Sequence, residues 1–251
     1  MKTAIIGGSA FTGLPEGYFE EMNVIDEIFP DTPWGKPSAP IEIVSLNKTE
    51  IIFLPRHGEV ARIAPHKINY KANIWALHEI NVRNIISVSV VGGITKSMSP
   101  NNIIIPDQII DYTYNRDHTF SDGDPMDVEH IDFSNPYSEI LRKKLIDSAR
   151  VKKLKIHPKG TYGITQGPRL ETAAEILRLE NDGCNIVGMT GMPEASLARE
   201  LKINYACCCL VVNWAAGKST LPITSEIIQR NLEGGLYNIL LLINEFLLNA
   251  N

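Results

Sequence analysis

Side chains that could bind an anion stand directly after one apolar run of this sequence. Arg56 and His57 follow residues 51–54, a run that predicts a buried strand. A guanidinium group is a planar fork that matches phosphate oxygens, and a neighbouring imidazole can donate a further hydrogen bond. An isolated Arg-His pair is more often a solvated surface turn, so the position at a strand end is what favours an anion site here.

Four further side chains of chemical interest follow other apolar runs or breaks in the chain. Glu171 follows a glycine-proline break, Met189 and Thr190 end one apolar run, and Asn213 ends another. Taken singly, a first-turn helix glutamate and a core methionine are the commoner interpretations. However, ligands of open α/β sheets bind in the crevice outside the carboxyl ends of the strands. We therefore expect these side chains to meet at one site.

The elements that must position these side chains alternate between strands and helices. Apolar runs predict buried strands at 3–6, 84–91, 160–165, 186–189 and 205–212, and a hairpin at 41–44 and 50–54. The run at 102–110 predicts a strand that Pro106 confines to an edge or a bulge. Apolar periodicity predicts helices at 71–79, 136–153, 171–179, 195–201 and 225–248. A chain of 251 residues with this alternation is predicted to form one α/β domain over 1–251.

Composition argues against several classes of protein. A formal charge of -5 provides no basic field for nucleic acid, and no apolar run is long enough to predict a membrane span. The first residues predict a strand rather than a signal peptide, so we expect a cytoplasmic protein. Cys207, Cys208 and Cys209 alternate between strand faces and are predicted to be small apolar fillers. The Asp- and His-rich segment at 111–136 has no metal-ligand spacing and predicts a solvated loop.

Three segments carry a family resemblance. They read NYKANIWAL at 69–77, GPRLET at 167–172 and VGMTGMPE at 187–194. Together they resemble the trimeric purine nucleoside phosphorylase and methylthioadenosine phosphorylase family, and the similar pattern extends over nearly the whole chain. The resemblance implies cleavage of a purine–sugar bond by inorganic phosphate. It also implies a homotrimer and a central mixed, twisted sheet, flanked by helices and partly closed into a barrel.

The same resemblance assigns roles to individual residues. Phosphate contacts are implied for Ser9, Arg56, His57, Ser89, Val90 and Thr190. Contacts to purine and sugar are implied for Glu171, Met189, Asn213, Trp214, Ala215 and Ser225, and for His130 from a neighbouring subunit. By itself, Gly7-Gly8-Ser9 matches neither a dinucleotide fingerprint nor a Walker loop, and a plain tight turn is as good an interpretation.

Hydrogen-bond polarity predicts the base. An ionised Glu171 suits the N1 hydrogen of a 6-oxopurine, and the Asn213 amide can donate to O6 or N7, where charge develops as the base departs. Asn213 and Glu171, together with His57 on the phosphate side that the resemblance implies, are the expected catalytic residues. Phosphate is the co-substrate, and neither a metal nor an organic cofactor is implied.

Substrate preference rests on weaker signals. The overall pattern and the apolar segment 221–223 favour S-methyl-5′-thioinosine, which would yield hypoxanthine and 5-methylthioribose 1-phosphate. Ser225 could instead bind a 5′-hydroxyl, which would favour inosine or guanosine. Two other classes remain open, a nucleosidase that uses water and a purine nucleotide-binding module without turnover. The Arg-His pair argues against a nucleosidase, because a water nucleophile does not require a phosphate site.

Overall fold

The structure is a computed structural model that describes residues 2–8, 11, 22–46, 49–60, 62–122 and 127–249. Within these residues the strands are β1 Lys2–Gly7, β2 Met22–Ile28, β3 Ile41–Leu46, β4 Thr49–Pro55, β5 Val82–Gly93, β6 Ile103–Ile104, β7 Gln108–Asp111, β8 Ile156–His157, β9 Thr161–Ile164, β10 Ile186–Gly188 and β11 Asn204–Trp214. The α-helices are α1 Tyr70–Glu79, α2 Glu139–Val151, α3 Ala173–Asn181, α4 Glu194–Glu200 and α5 Ser225–Leu248. Pro65–Lys67 form one turn of 3₁₀-helix.

All of the described strands belong to one mixed sheet. Its main path runs β2-β3-β4-β1-β5-β10-β9-β7, while β11 pairs with β5 and with β6, and β6 pairs with β8. The predicted hairpin is present as the antiparallel pair β3–β4, whereas β1 pairs in parallel with β4 and β5. The expected mixed α/β fold is thus confirmed. Partial closure of the sheet into a barrel stays a prediction.

One edge of the central strand β5 is unpaired over part of its length, which leaves a gap in the sheet. β11 pairs along one edge of β5 from Asn84 to Gly93. On the other edge, β1 pairs with β5 as far as Ser87, and β10 begins only at Gly92. Among the described residues, 88–91 therefore have no ladder partner on that edge. Apart from the Val88 carbonyl, which accepts a hydrogen bond from Arg56, the described residues leave backbone groups of this stretch open to a ligand at the middle of the sheet.

Helices cover both faces of the sheet, and the alternating side chains of β11 show which helix packs where. Cys207 and Cys209 lie in a buried cluster with residues of α1 and α4. Cys208 and Leu210 lie in a second cluster with residues of α2 and α5. All four cysteines are buried and free, as expected for small apolar fillers.

Local signals explain most element boundaries. The side chains of Asn69, Ser138, Thr172 and Thr224 cap the first turns of α1, α2, α3 and α5. Because the cap of α3 is at Thr172, the predicted helix start at residue 171 was wrong by two positions. The predicted strand at 102–110 is two strands, β6 and β7, separated at Pro106, which cannot donate a ladder hydrogen bond. Strands β2 and β8 were not predicted.

Candidate active site

A pocket of about 250 Å³ lies where the strand ends meet the gap on β5. Its walls come from loops that follow β4, β9, β10 and β11, together with the middle of β5. Nine of the side chains expected from the sequence line it, namely Arg56, His57, Ser89, Val90, Glu171, Met189, Thr190, Asn213 and Ala215. The carboxyl-end rule for α/β sheets thus predicted the place of the candidate site.

Three of the expected residues that the structure describes do not line this pocket. Trp214 lines an adjoining hollow of about 220 Å³ that shares Asn213 with it. Ser225 is exposed at the first turn of α5, where its hydroxyl donates to Glu226 over 3.4 Å. His130 is exposed in an irregular segment, so its contribution to a neighbouring subunit stays a prediction. Ser9 lies outside the described residues.

Arg56 is fully buried, and its guanidinium group is almost completely hydrogen-bonded. Nε and Nη2 donate to the two carboxylate oxygens of Glu194 over 2.7 and 3.0 Å. Nη2 also donates to Ser87 Oγ over 2.5 Å, and Nη1 donates to the Val88 carbonyl over 3.1 Å. Four of the five N–H donors are therefore occupied by described residues. One Nη1 donor remains, on the atom that lies beside Gly8 at the pocket.

Glu194 lies behind Arg56, and sequence analysis assigned it no role in the site. It is fully buried, and it accepts a third hydrogen bond from the Tyr205 hydroxyl over 2.8 Å. Burial opposes the charge of Arg56, yet the adjacent Glu194 carboxylate outweighs burial and raises the pKa of Arg56. Burial and the same carboxylate raise the pKa of Tyr205. Arg56 and Glu194 thus form an ion pair with no net charge. Hydrogen bonds from Arg56 to Ser87 and Val88, and from Tyr205 to Glu194, fix its geometry.

His57 is neutral, and the structure indicates which nitrogen carries the proton. Its Nδ1 atom lies 2.8 Å from the Ile63 carbonyl oxygen, which can only accept a hydrogen bond. Burial and the neighbouring Arg56 charge lower the pKa of His57. The neutral ring therefore holds its proton on Nδ1 and has a lone pair on Nε2. This acceptor differs from the donor role expected from the sequence.

Hydroxyl groups complete the anion side of the pocket. Ser89 Oγ on β5 and Thr190 Oγ1 in the loop after β10 lie 3.3 Å apart, although the two residues are 101 positions apart in sequence. The Cys207 thiol lies 3.8 Å behind Ser89 Oγ and can donate to it. Together with the Nη1 donor of Arg56 and the open edge of β5, these groups provide a concentrated set of hydrogen-bond donors.

On the opposite side, a hydrogen bond orients the Glu171 carboxylate. Thr165 Oγ1 donates to Glu171 Oε1 over 2.6 Å, which leaves Oε2 as the acceptor for a ligand. The loop between them turns at Gly167, whose φ is +64°. A Cβ atom at Gly167 would lie 2.4 Å from the Met189 sulfur, and residues with side chains rarely adopt this positive φ, so the turn and the close approach of the two loops both favour glycine.

A β-bulge positions Asn213. The register between β11 and β5 shifts between Val211 and Asn213, leaving Val212 unpaired with β5. Adjacent residues of a regular strand face opposite sides, whereas Val212 and Asn213 both line the pocket. Asn231 of α5 donates its amide to the Val212 carbonyl over 2.8 Å and so supports the bulge. The Asn213 amide donates to the Trp214 carbonyl over 2.8 Å, and its second N–H remains for a ligand.

The described residues contain no group of three His, Cys, Asp or Glu side chains arranged to hold a metal ion. Likewise, none of their helices is long and apolar enough to cross a membrane.

Comparison with known proteins identifies the class to which a chain with this sheet and this pocket belongs. Residues 2–247 match the phosphorylase superfamily, and the chain belongs to this family.

Individual relatives are similar over most of the chain. A probable S-methyl-5′-thioinosine phosphorylase of Pseudomonas syringae pv. tomato is 49% identical over 93% of this chain and 93% of its own length. A 6-oxopurine nucleoside phosphorylase of Pyrococcus furiosus is 44% identical over 91% of this chain and 85% of its own length. The solved structure of methylthioadenosine phosphorylase from Schistosoma mansoni in complex with adenine superposes with a TM-score of 0.92 at 28% identity, covering 100% of this chain and 92% of that one.

Proposed function

We propose that the protein cleaves 6-oxopurine nucleosides with inorganic phosphate and prefers S-methyl-5′-thioinosine, releasing hypoxanthine and 5-methylthioribose 1-phosphate. The observation that carries this proposal is the polarity of the base side of the pocket. Glu171 offers an oriented acceptor to N1–H, and Asn213 offers an amide donor to O6 or N7. A 6-aminopurine would place an acceptor at N1 and a donor at its 6-amino group, leaving polar groups of the site unpaired.

The reaction needs positioning and charge stabilisation rather than a covalent intermediate. An oxygen of hydrogen phosphate forms a bond to C1′ while the bond from C1′ to N9 breaks, and its electron pair moves onto the purine. Asn213 donates to the purine atom that gains charge, and the proton of hydrogen phosphate ends on the departing base. Neutral His57 accepts a hydrogen bond from that P–OH group through Nε2, which orients the nucleophilic oxygens toward the sugar.

The preference for an apolar 5′ group rests on the wall formed by α5 and the segment before it. Ile223 and Ile228 line the pocket, whereas Ser225 is exposed and pairs with Glu226. Apolar side chains stabilise a methylthio group by about 1 kcal/mol more than they would a hydroxyl, so the preference is modest. The relative named S-methyl-5′-thioinosine phosphorylase supports this substrate.

The second candidate is a general 6-oxopurine nucleoside phosphorylase that acts on inosine and guanosine. The Pyrococcus furiosus relative with that name favours it. In either case we propose a homotrimer in which His130 reaches the site of a neighbouring subunit, a cytoplasmic location, and phosphate as co-substrate without an organic cofactor. A stable monomer with full activity in sedimentation experiments would contradict the shared site.

One assay decides among these functions. Hypoxanthine or adenine release is measured from S-methyl-5′-thioinosine, inosine and methylthioadenosine, with and without phosphate. We expect phosphate-dependent release of hypoxanthine, a higher kcat/KM for S-methyl-5′-thioinosine than for inosine, and slow cleavage of methylthioadenosine. Equal kcat/KM values would assign the general activity, and phosphate-independent release would assign a nucleosidase. No turnover of any substrate would refute the proposal.

A further inference from the structure

Arg116 lies outside the pocket and makes an unusual set of contacts. It is only 9% exposed and belongs to the irregular segment between β7 and α2. Nη1 donates to the carbonyls of Met189 and Met192 over 2.9 and 2.7 Å. Nη2 donates to the carbonyls of Gln166 and Thr165 over 2.8 and 3.3 Å. One side chain thus holds four backbone carbonyls, two from each of two loops.

These two loops carry opposite halves of the candidate site. Thr165 and Gln166 begin the loop that contains Gly167 and Glu171, which we call the base loop (165–171). Met189 and Met192 flank Thr190 in the loop that we call the phosphate loop (189–193). Arg116 Nε also donates to Gln166 Oε1 over 3.0 Å, which fixes the guanidinium plane against the base loop.

The charge of Arg116 has no partner carboxylate among the described residues and faces carbonyl oxygens and the Tyr70 ring instead. An ion pair is therefore not the reason for its burial. A guanidinium group presents its donors in a fixed plane, so it can set the distance between two segments, whereas a lysine ammonium is a single point of contact.

We infer that Arg116 is a positioning residue that holds the base loop and the phosphate loop at the separation required by the nucleoside and phosphate. This inference rests on the proposed function for its kinetic consequences, but the contacts themselves do not depend on it. A displacement of about 1 Å between reacting groups can cost about 100-fold in rate. Loss of Arg116 should therefore affect both substrates together, although it touches neither.

Arg142 provides a control that differs from Arg116 in also pairing with the exposed Glu139 carboxylate. It is also buried, and it also donates to backbone carbonyls, with Nε 2.8 Å from Pro106 O and Nη2 2.5 Å from Pro158 O. Those carbonyls belong to segments that do not line the pocket. A variant at Arg142 therefore reports the general cost of losing a buried arginine that clamps the backbone.

The experiment compares Arg116→Ala, Arg116→Lys and Arg142→Ala with the parent protein. We expect kcat/KM for nucleoside and for phosphate to fall about 100-fold in both Arg116 variants, with both KM values raised. In Arg142→Ala, kcat/KM should stay close to that of the parent even if the melting temperature falls. Millimolar guanidinium should restore part of the activity of Arg116→Ala and none to Arg142→Ala. If Arg116→Ala does not fold, Arg116→Lys provides the test.

Amide hydrogen exchange supplies a readout that does not depend on catalysis. Exchange should accelerate in both the base loop and the phosphate loop of the Arg116 variants and in neither loop of Arg142→Ala. Folded Arg116 variants with parental kinetics, or with kinetics equal to those of Arg142→Ala, would overturn the inference. If the parent cleaved no nucleoside, the proposed function would fall, while unchanged exchange in the two loops would separately refute the role of Arg116.

Discussion

Replacing Glu194 by Gln tests whether the buried Arg56–Glu194 pair supports both the fold and the proposed phosphate site. The carboxylate receives hydrogen bonds from Arg56 Nε, Arg56 Nη2 and the Tyr205 hydroxyl. A glutamine amide has a single acceptor oxygen, so its NH₂ group would face one of the two Arg56 N–H groups that now donate to the carboxylate. Because both side chains are 0% exposed, the Arg56 charge then has neither solvent nor a carboxylate to balance it.

The expected loss of stability follows from this burial. Removing one partner of a buried ion pair costs about 3–5 kcal/mol, and we expect about 3 kcal/mol because Ser87 and Val88 still hold the guanidinium group. One kcal/mol corresponds to roughly 2–4 °C for a protein of this size, so the melting temperature should fall by roughly 6–12 °C. Glu245→Gln is the control, since its partner Lys152 is one-third exposed and that pair contributes at most about 1 kcal/mol.

Two further measurements separate the ion pair from a general packing defect. The double variant Arg56→Met with Glu194→Leu should be more stable than Glu194→Gln, because it leaves no buried charge, yet it should lose phosphate use. Phosphate should raise the melting temperature of Glu194→Gln more than that of the parent, since phosphate then becomes the counter-ion of Arg56. All proteins are compared at one protein concentration, because oligomerisation alters apparent stability. The single variants Arg56→Met and Glu194→Leu complete the comparison. If their losses of stability added up to that of the double variant, this account would be refuted.

Four other predictions follow from the two sides of the pocket. Thr165→Val should raise the nucleoside KM roughly fivefold and leave the phosphate KM unchanged, because Glu171 loses about 1 kcal/mol of orienting hydrogen bond; steady-state kinetics with each substrate varied decide this. Thr190→Ala should do the reverse, with a higher phosphate KM and an unchanged nucleoside KM. The pKa of His57 is lower in the folded protein than in the unfolded chain, so the unfolded chain takes up a proton at a higher pH. The free energy of unfolding should therefore fall as the pH drops below about 6.5. Urea unfolding of His57→Gln should show a smaller fall over the same pH range. Sulfate, which carries no proton at neutral pH, should raise the melting temperature less than equal concentrations of phosphate, and equal stabilisation would contradict a His57 acceptor.

The sequence predicted the site wherever the signal was local. Arg56, Thr190 and Asn213 each end or directly follow an apolar run, and the general rule for strand ends brought them together. The same local logic explains why Pro106 divided one predicted strand into two. The predicted and observed helix boundaries differ where a side-chain cap determines the first residue of the helix, as at Thr172.

Contacts between residues that lie far apart in the sequence could not be predicted from local patterns. Glu194 stands 138 residues from Arg56, and its position at the start of α4 resembles that of an ordinary first-turn glutamate favoured by the helix dipole. Arg116 lies in a polar segment whose composition predicts a solvated loop, yet it is buried by the loops that it holds. The bulge at Val212 has no sequence signature, because its residues also suit a regular strand.

The anion side of the pocket relies on hydrogen-bond polarity more than on net positive charge. The charge of Arg56 is compensated by Glu194, and burial keeps His57 neutral. What remains for an anion is one guanidinium N–H, the Ser89 and Thr190 hydroxyls and the open edge of β5. A site of this kind discriminates among anions by the number and direction of their acceptors and by whether they can donate a hydrogen bond to His57. It also avoids an uncompensated buried cation in the absence of phosphate, which would cost several kcal/mol. The buried carboxylate therefore reduces the attraction for anions in general while it fixes the one guanidinium N–H that the proposed phosphate site offers.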